Sequence, residues 1–431
     1  MKLLIKGGQV IDPRNGIDRV CDIYIEDGII TEIDNQISIS GEDTEVIDAK
    51  GLTVLPGLID MHCHLREPGY EYKEDIESGS KSAVMGGFTS VACMPNTNPV
   101  TDTASVVSYI IERGKSVDYA NVYPIGAISK GLEGEQMAEI GEMKFAGVVG
   151  VSDDGKPVSN PGLMKRALIY ANMFDTIVIS HCEDKALAGD GAMNDGDVAS
   201  IMGIKGIPNS AEEVMVARDI LIAEAENMPV HIAHVSTKGS VELVRAAKKR
   251  GVKVTCETCP HYFSLTQEAV RGYNTNAKMN PPLRTDEDVE AIKAGIADGT
   301  IDAIATDHAP HHIDEKRCEF VKASNGIIGF ETALPLAITY LVREGVITMA
   351  QLAERMSVAP ANILGLNKGS LAVGKAADIT IINPAEQIEV TEENIVSKSK
   401  NTPYIGYKLY GKVCYTVVGG KVKVRMGELC K

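Results

Sequence analysis

The stretch GLIDMHCHLREPG, residues 57–69, sets His62 and His64 one residue apart at the end of an apolar run and follows them with Arg66 and Glu67. In a strand, residues two apart point to the same side, so both imidazoles can reach one ion. Further along, His181 follows TIVIS, His234 follows VHIA, Asp154 follows GVVGVSD and Asp307 follows IDAIAT. Imidazole nitrogen together with carboxylate oxygen suits Zn²⁺, with Mn²⁺ or Co²⁺ as substitutes. Four histidines and two aspartates exceed the three protein ligands usual for one catalytic zinc, so two metals sharing a bridging carboxylate fit the set. Spacing alone leaves Asp153 and Asp154 as alternatives for that bridge. A single histidine on an apolar run is usually a satisfied core residue. Burying this many polar groups without a ligand costs several kcal/mol. All nine histidines fall between positions 62 and 312. Of these, His231, His261, His308 and His312 read as structural or supporting groups, with His231 facing away from His234 by strand alternation.

The elements that would position these residues are legible as alternation. Eight β-rich runs, GLIDMHCH, FTSVACMPN, NVYPIGAI, GVVGVSDDG, TIVISHCED, MPVHIAHVS, VKVTCETCPHY and IDAIATDHAP, are separated by segments such as AEEVMVARDILIAEAEN and VELVRAAKKRG with apolar residues at helical spacing. Repeated βα units over residues 54–365 predict an α/β fold, a (β/α)₈ TIM-type barrel, whose strand C-termini converge on one face. That face would gather every candidate ligand. The flanks, residues 1–53 and 366–431, carry hairpin signals at Asp27-Gly28 and Gly419-Gly420 and predict one small β-sandwich built from both termini.

Composition narrows the function. With 431 residues, 44% hydrophobic and 24% charged, the chain has the profile of an ordinary globular protein. Its net charge of −16 argues against binding a nucleic-acid backbone. Neither a signal peptide nor a run of 18 apolar residues is present, so a cytoplasmic protein without membrane association is expected. Nine scattered cysteines read as reduced thiols, and Cys256 with Cys259 as an incidental pair.

The motifs HCHLREPG, CMPNTNP, SDDG, SHCED, HIAHVST, MNPPLR and ATDHAPH, in that order, with NTPYIGYKLYGKV in the tail, resemble the dihydroorotases of pyrimidine biosynthesis, specifically the bacterial type I branch of the amidohydrolase superfamily. The likeness spans essentially the whole chain. It implies reversible hydrolysis of the cyclic amide of (S)-dihydroorotate to N-carbamoyl-L-aspartate on the route to UMP. By the same resemblance, His62 and His64 hold the more buried of two zinc ions, with Asp307 as a further ligand and the catalytic acid/base. His181 and His234 hold the second zinc, and Asp154 bridges both. Zinc lowers the pKa of a bound water from roughly 15.7 to about 7. Arg66, Asn96 and His311 would bind the substrate carboxylate, with His64 beside it, while Asn280, Asn325 and the backbone around Gly326 would contact the ring. Relatives of this type are implied to act as homodimers, some with aspartate transcarbamoylase ordering their loops.

Two departures shape the alternatives. Allantoinases and dihydropyrimidinases share the fold but use a carboxylated lysine as the bridge, and GVVGVSDDG offers none. Homologues that serve as non-catalytic scaffold subunits of aspartate transcarbamoylase have lost metal ligands, whereas all six positions are filled here. Asn325-Gly326 stands where the family has Pro-Gly, and HHIDEKRCEFVKASN, residues 311–325, reads as a mobile lid.

Overall fold

The computed structural model describes residues 2–38 and 43–430. Eight strands pair in parallel and in chain order: β1 (Leu58–Cys63), β2 (Phe88–Cys93), β3 (Asn121–Gly126), β4 (Gly150–Ser152), β5 (Ile177–Ser180), β6 (Val230–Ile232), β7 (Val254–Thr258) and β8 (Ala303–Ile304). The ring is drawn together between its first and last strands by His64 N–H donating to His308 O at 2.8 Å and Asp307 N–H to His62 O at 3.0 Å. Asp60 on β1 adds a polar seam, accepting from Thr306 N–H at 2.9 Å and Thr306 Oγ1 at 2.6 Å. This is the (β/α)₈ barrel that the eight apolar runs predict.

Every residue of β1 and β2 is buried. Helices cover the outer face and side chains fill the inner one, so such strands read as continuous apolar runs. The intervening helices begin at local polar stops. Asp75 and Ser78 form a capping box before Ile76–Met85, and Thr237 Oγ1 accepts from Ser240 N–H at the start of Lys238–Lys249. In the latter helix Val241, Val244 and Ala247 face inward at three-residue spacing.

Both chain ends build a separate mixed sheet. Lys2–Asp12 pairs antiparallel with Ile17–Glu26 and parallel with Thr44–Asp48 and Thr53–Pro56. Thr53–Pro56 in turn pairs antiparallel with Ile379–Glu389, which continues to Lys408–Val418 and Lys421–Arg425. The hairpin signals sit in turns with left-handed backbones, Asp27 and Gly28 at φ 48° and 83° and Gly419 and Gly420 at 53° and 78°. Ile5, Ile23, Ile47, Ile379, Ile381 and Val417 share one apolar cluster distinct from the barrel core. Thr380 and Thr416 dock this sheet on the barrel through hydroxyl hydrogen bonds to Gly87 O and Val84 O.

Among the described residues no helix is long and apolar enough to cross a membrane. The nine cysteines are unpaired.

Candidate active site

The six candidate ligands stand at or just beyond the C-terminal ends of five strands. His62 is on β1 and His64 beyond it; Asp154, His181, His234 and Asp307 follow β4, β5, β6 and β8. All six are buried. His62, His64 and Asp154 present ligand atoms within 4.8 Å of one another, as do Asp154, His181 and His234. Asp154 is common to both groups: its Oδ1 lies 3.4 Å from His62 Nε2, 3.5 Å from His181 Nδ1 and 3.6 Å from His234 Nε2, and its Oδ2 lies 3.5 Å from His64 Nε2. Asp307 Oδ1 is 3.1 Å from His64 Nε2 and 3.7 Å from His62 Nε2. Asp153 turns away, accepting from Ile128 N–H and from the backbone and hydroxyl of Ser129. Of the two alternatives spacing left open, only Asp154 reaches the cluster.

The donor set fits a metal. His62 Nε2, His181 Nε2 and Asp154 Oδ1 are buried without a hydrogen-bond partner, an arrangement costly in a protein interior unless a ligand takes them up. Burial pushes the Asp154 carboxyl up, yet His62, His181 and His234 outweigh it and hold it well below the usual range. Burial likewise opposes ionisation of Asp307, and His64 and His62 reverse that. Ionised carboxylates among unpartnered imidazole nitrogens are the chemistry of a divalent-cation site.

One support went unread in the sequence, and a residue read there as a carboxylate contact proves to be a second. Glu257, inside β7 and fully buried, meets His62 Nδ1 at 2.6 Å and His231 Nε2 at 3.3 Å. It thereby leaves His62 Nε2 facing the cluster, as carboxylates behind metal-binding histidines do. Burial raises this carboxyl, but His62 and His231 pull it down to about 2. The only signal was an acid within a β-rich run, VTCETC. Asn96 does the same for His64, its Oδ1 lying 2.9 Å from His64 Nδ1. His231 thus sits behind the cluster, supporting it through Glu257. His261 and His308 are buried and His312 is exposed.

The cluster opens into a cavity of ≈ 260 Å³ whose wall includes Arg66, Asn96, Asn280, His311, Asn325 and Gly326. Arg66 is buried, its Nε donating to Pro310 O at 3.1 Å and its Nη2 lying 3.4 Å from His311 Nε2. His311 Nε2 donates to Asn325 O at 2.7 Å. Burial and the Arg66 guanidinium push the His311 imidazole down from its usual range, while its Nδ1 lies 3.2 Å from Glu315 Oε2. Asn280 Oδ1 is buried and unpartnered. Glu67, next to Arg66, accepts from Tyr109 Oη at 2.7 Å, Arg113 Nε at 3.2 Å and Ile76 N–H at 2.8 Å. It ties the loop after β1 to two helices.

The segment read as a mobile lid is anchored. Lys316 is buried, its ammonium donating to Thr275 O at 3.0 Å, Lys278 O at 3.3 Å and Ser324 O at 2.7 Å, while Lys278 donates to Val321 O and Ala323 O. A polar sequence hides this, because lysines that bond only backbone carbonyls look like solvated ones.

A family model described as dihydro-orotase-like matches residues 51–240, and one described as amidohydrolase family matches residues 286–424. The chain is 62% identical to a dihydroorotase of Acetivibrio thermocellus over 98% of its length and 99% of that protein, and 59% identical to one of Ruminiclostridium cellulolyticum over 99% of both. Among solved structures, an L-hydantoinase (dihydropyrimidinase) from Arthrobacter aurescens superposes with TM-score 0.90 at 25% identity, covering 100% of this chain and 97% of that one. A D-hydantoinase (dihydropyrimidinase) from a Thermus species gives 0.86 at 27%, covering 99% and 96%. Identity near 60% over the full length, on a barrel whose strand ends carry this cluster, places the chain in the dihydroorotase family of the amidohydrolase superfamily.

Proposed function

We propose that the protein is a zinc-dependent dihydroorotase, interconverting (S)-dihydroorotate and N-carbamoyl-L-aspartate in pyrimidine biosynthesis. The observation that carries this reading is a buried guanidinium, Arg66, facing the same small cavity as the His/Asp cluster. A hydrolytic centre beside a fixed positive charge suits a cyclic amide that bears a carboxylate. Full-length relatives named dihydroorotase support it at about twice the identity of the hydantoinase structures.

His62, His64, Asp154, His181, His234 and Asp307 would hold two zinc ions, with Asp154 shared. Zinc there supplies Lewis acidity and a water of lowered pKa. The protein does the rest. Arg66, Asn96 and His311 seat the substrate carboxylate, and Asn280, Asn325 and the Gly326 backbone hold the ring so that its amide carbon faces the cluster. Asp307, ionised in the resting site, takes the proton from the attacking water and passes it to the departing ring nitrogen. Glu257 and Asn96 keep His62 and His64 from turning. In the reverse direction the same aspartate removes the carbamoyl proton. We place the enzyme in the cytoplasm as a homodimer, with aspartate transcarbamoylase as its protein partner.

The test is metal dependence of one reaction. Chelated protein should lose dihydroorotate turnover and regain it with about two equivalents of zinc per chain. Full turnover in metal-free protein would overturn the reading.

A further inference from the structure

The tail motif NTPYIGYKLYGKV supplies nothing to the cavity wall, yet its first residue is buried against the loops that do. Asn401 is 3% exposed and belongs to the connection between Ile379–Glu389 and Lys408–Val418. Its carboxamide is fully engaged. Oδ1 accepts from His311 N–H at 3.0 Å, and Nδ2 donates to Ala309 O and to Gly326 O, each at 3.0 Å. Its own carbonyl accepts from Ile328 N–H at 3.0 Å.

These partners lie on two arms of one loop. The first, residues 309–311, leaves the end of β8; the second, residues 325–328, closes the anchored polar segment. Between the arms runs one backbone bond, Ala309 N–H to Ile327 O at 2.7 Å. The arms approach so closely that a Cβ on Gly326, at φ 122°, would come within 2.6 Å of Ala309 Cβ. The first arm carries His311 and the Pro310 carbonyl that holds Arg66 Nε. The second carries Asn325 and Gly326. The arms are also joined by His311 Nε2 and Asn325 O at 2.7 Å, and the Asn401 amide, bonded to both arms at once, ties these links together from outside the loop. The chemistry is specific to a carboxamide, since an aspartate would put an oxygen against two carbonyl oxygens.

We propose that Asn401 is a positioning residue for substrate binding, fixing the gap between the 309–311 and 325–328 arms in which Arg66 and His311 receive an anionic cyclic substrate. The proposal rests on the dihydroorotate reading above. None of the hydrogen bonds of Asn401 goes to a candidate metal ligand, so its effect falls on binding and leaves proton transfer alone.

The experiment compares wild type, Asn401→Ala and Asn401→Gln as full, zinc-loaded chains, with KM and kcat for dihydroorotate, zinc content and melting temperature measured on each. Leaving two carbonyls and one N–H without their partner should raise KM at least about tenfold in Asn401→Ala while kcat stays within about threefold and zinc content is unchanged. Asn401→Gln, which keeps every polar atom and shifts the amide by a methylene, should show a smaller rise in KM, and it carries the test if the alanine variant does not fold. A lowered melting temperature with wild-type KM in a folded variant would overturn the proposal, as would loss of kcat at unchanged KM. Absence of dihydroorotate turnover in the wild type overturns the substrate reading and this inference with it, and that result is seen before any variant is made.

Discussion

Arg66, His234 and Asp307 hold backbone φ angles of 63°, 32° and 46°, a region that side chains other than glycine seldom occupy. Each such residue costs about 1–3 kcal/mol and persists only where its surroundings over-determine it. For two of them the restraint is visible: Asp307 N–H is held by His62 O, and the Arg66 side chain by Pro310 O. All three side chains line the same cavity. Residue types and their places at strand ends were readable in the sequence; these dihedrals were not, because nothing in ATDHAP or HLREPG marks them. Asp307 gives the residue-scale prediction. Asparagine keeps a ligand oxygen but cannot carry a proton, so Asp307→Asn should lower kcat by about 10²–10⁴ with zinc retained. Near-normal turnover in the zinc-loaded variant would move the acid/base role elsewhere.

At the scale of elements, the eight parallel strands were legible because continuous apolar runs alternate with helical spacing. What joins them side chain to side chain was not. Glu257 on β7 reaches His62 on β1, 195 residues away, and Asp60 on β1 binds Thr306 beyond β8. Each is an acid inside a buried strand, and a buried acid announces that it has a partner without saying which. Lys316 and Asn401 escape notice for the same reason, since both act on backbone atoms far away in sequence. The Glu257 contact is testable. Glu257→Gln keeps the shape but removes the charge behind His62, and zinc affinity should fall about 10–100-fold, measured by competition with a chelator. Unchanged affinity would mean that His62 is oriented by packing alone.

For the whole molecule, the flanking hairpin signals foretold a sheet made from both termini. They did not foretell that Thr53–Pro56 pairs with strands of both flanks immediately before β1, because strand partners across 320 residues leave no local trace. Global stability should also carry one readable pH signature. Burial lowers the His261 imidazole from its ordinary 6.5 to about 4. Between those values the unfolded chain takes up a proton that the native barrel refuses, so stability falls as pH drops from 6.5 towards 4, by at most about 3 kcal/mol from this group. In His261→Phe that part of the decline should vanish from urea titrations across the range; an identical slope would assign the acid sensitivity to other groups.

The central claim is that this cavity selects a cyclic amide bearing a carboxylate, and it is tested most directly by measuring kcat/KM for dihydroorotate and for dihydrouracil in wild type and in Arg66→Met. Leaving a buried, hydrogen-bonded charge without its partner costs about 2–5 kcal/mol. Wild type should therefore favour dihydroorotate by roughly 30-fold or more, and Arg66→Met should lose most of that activity and narrow the gap. A wild-type enzyme that hydrolyses dihydrouracil as readily as dihydroorotate would contradict the account.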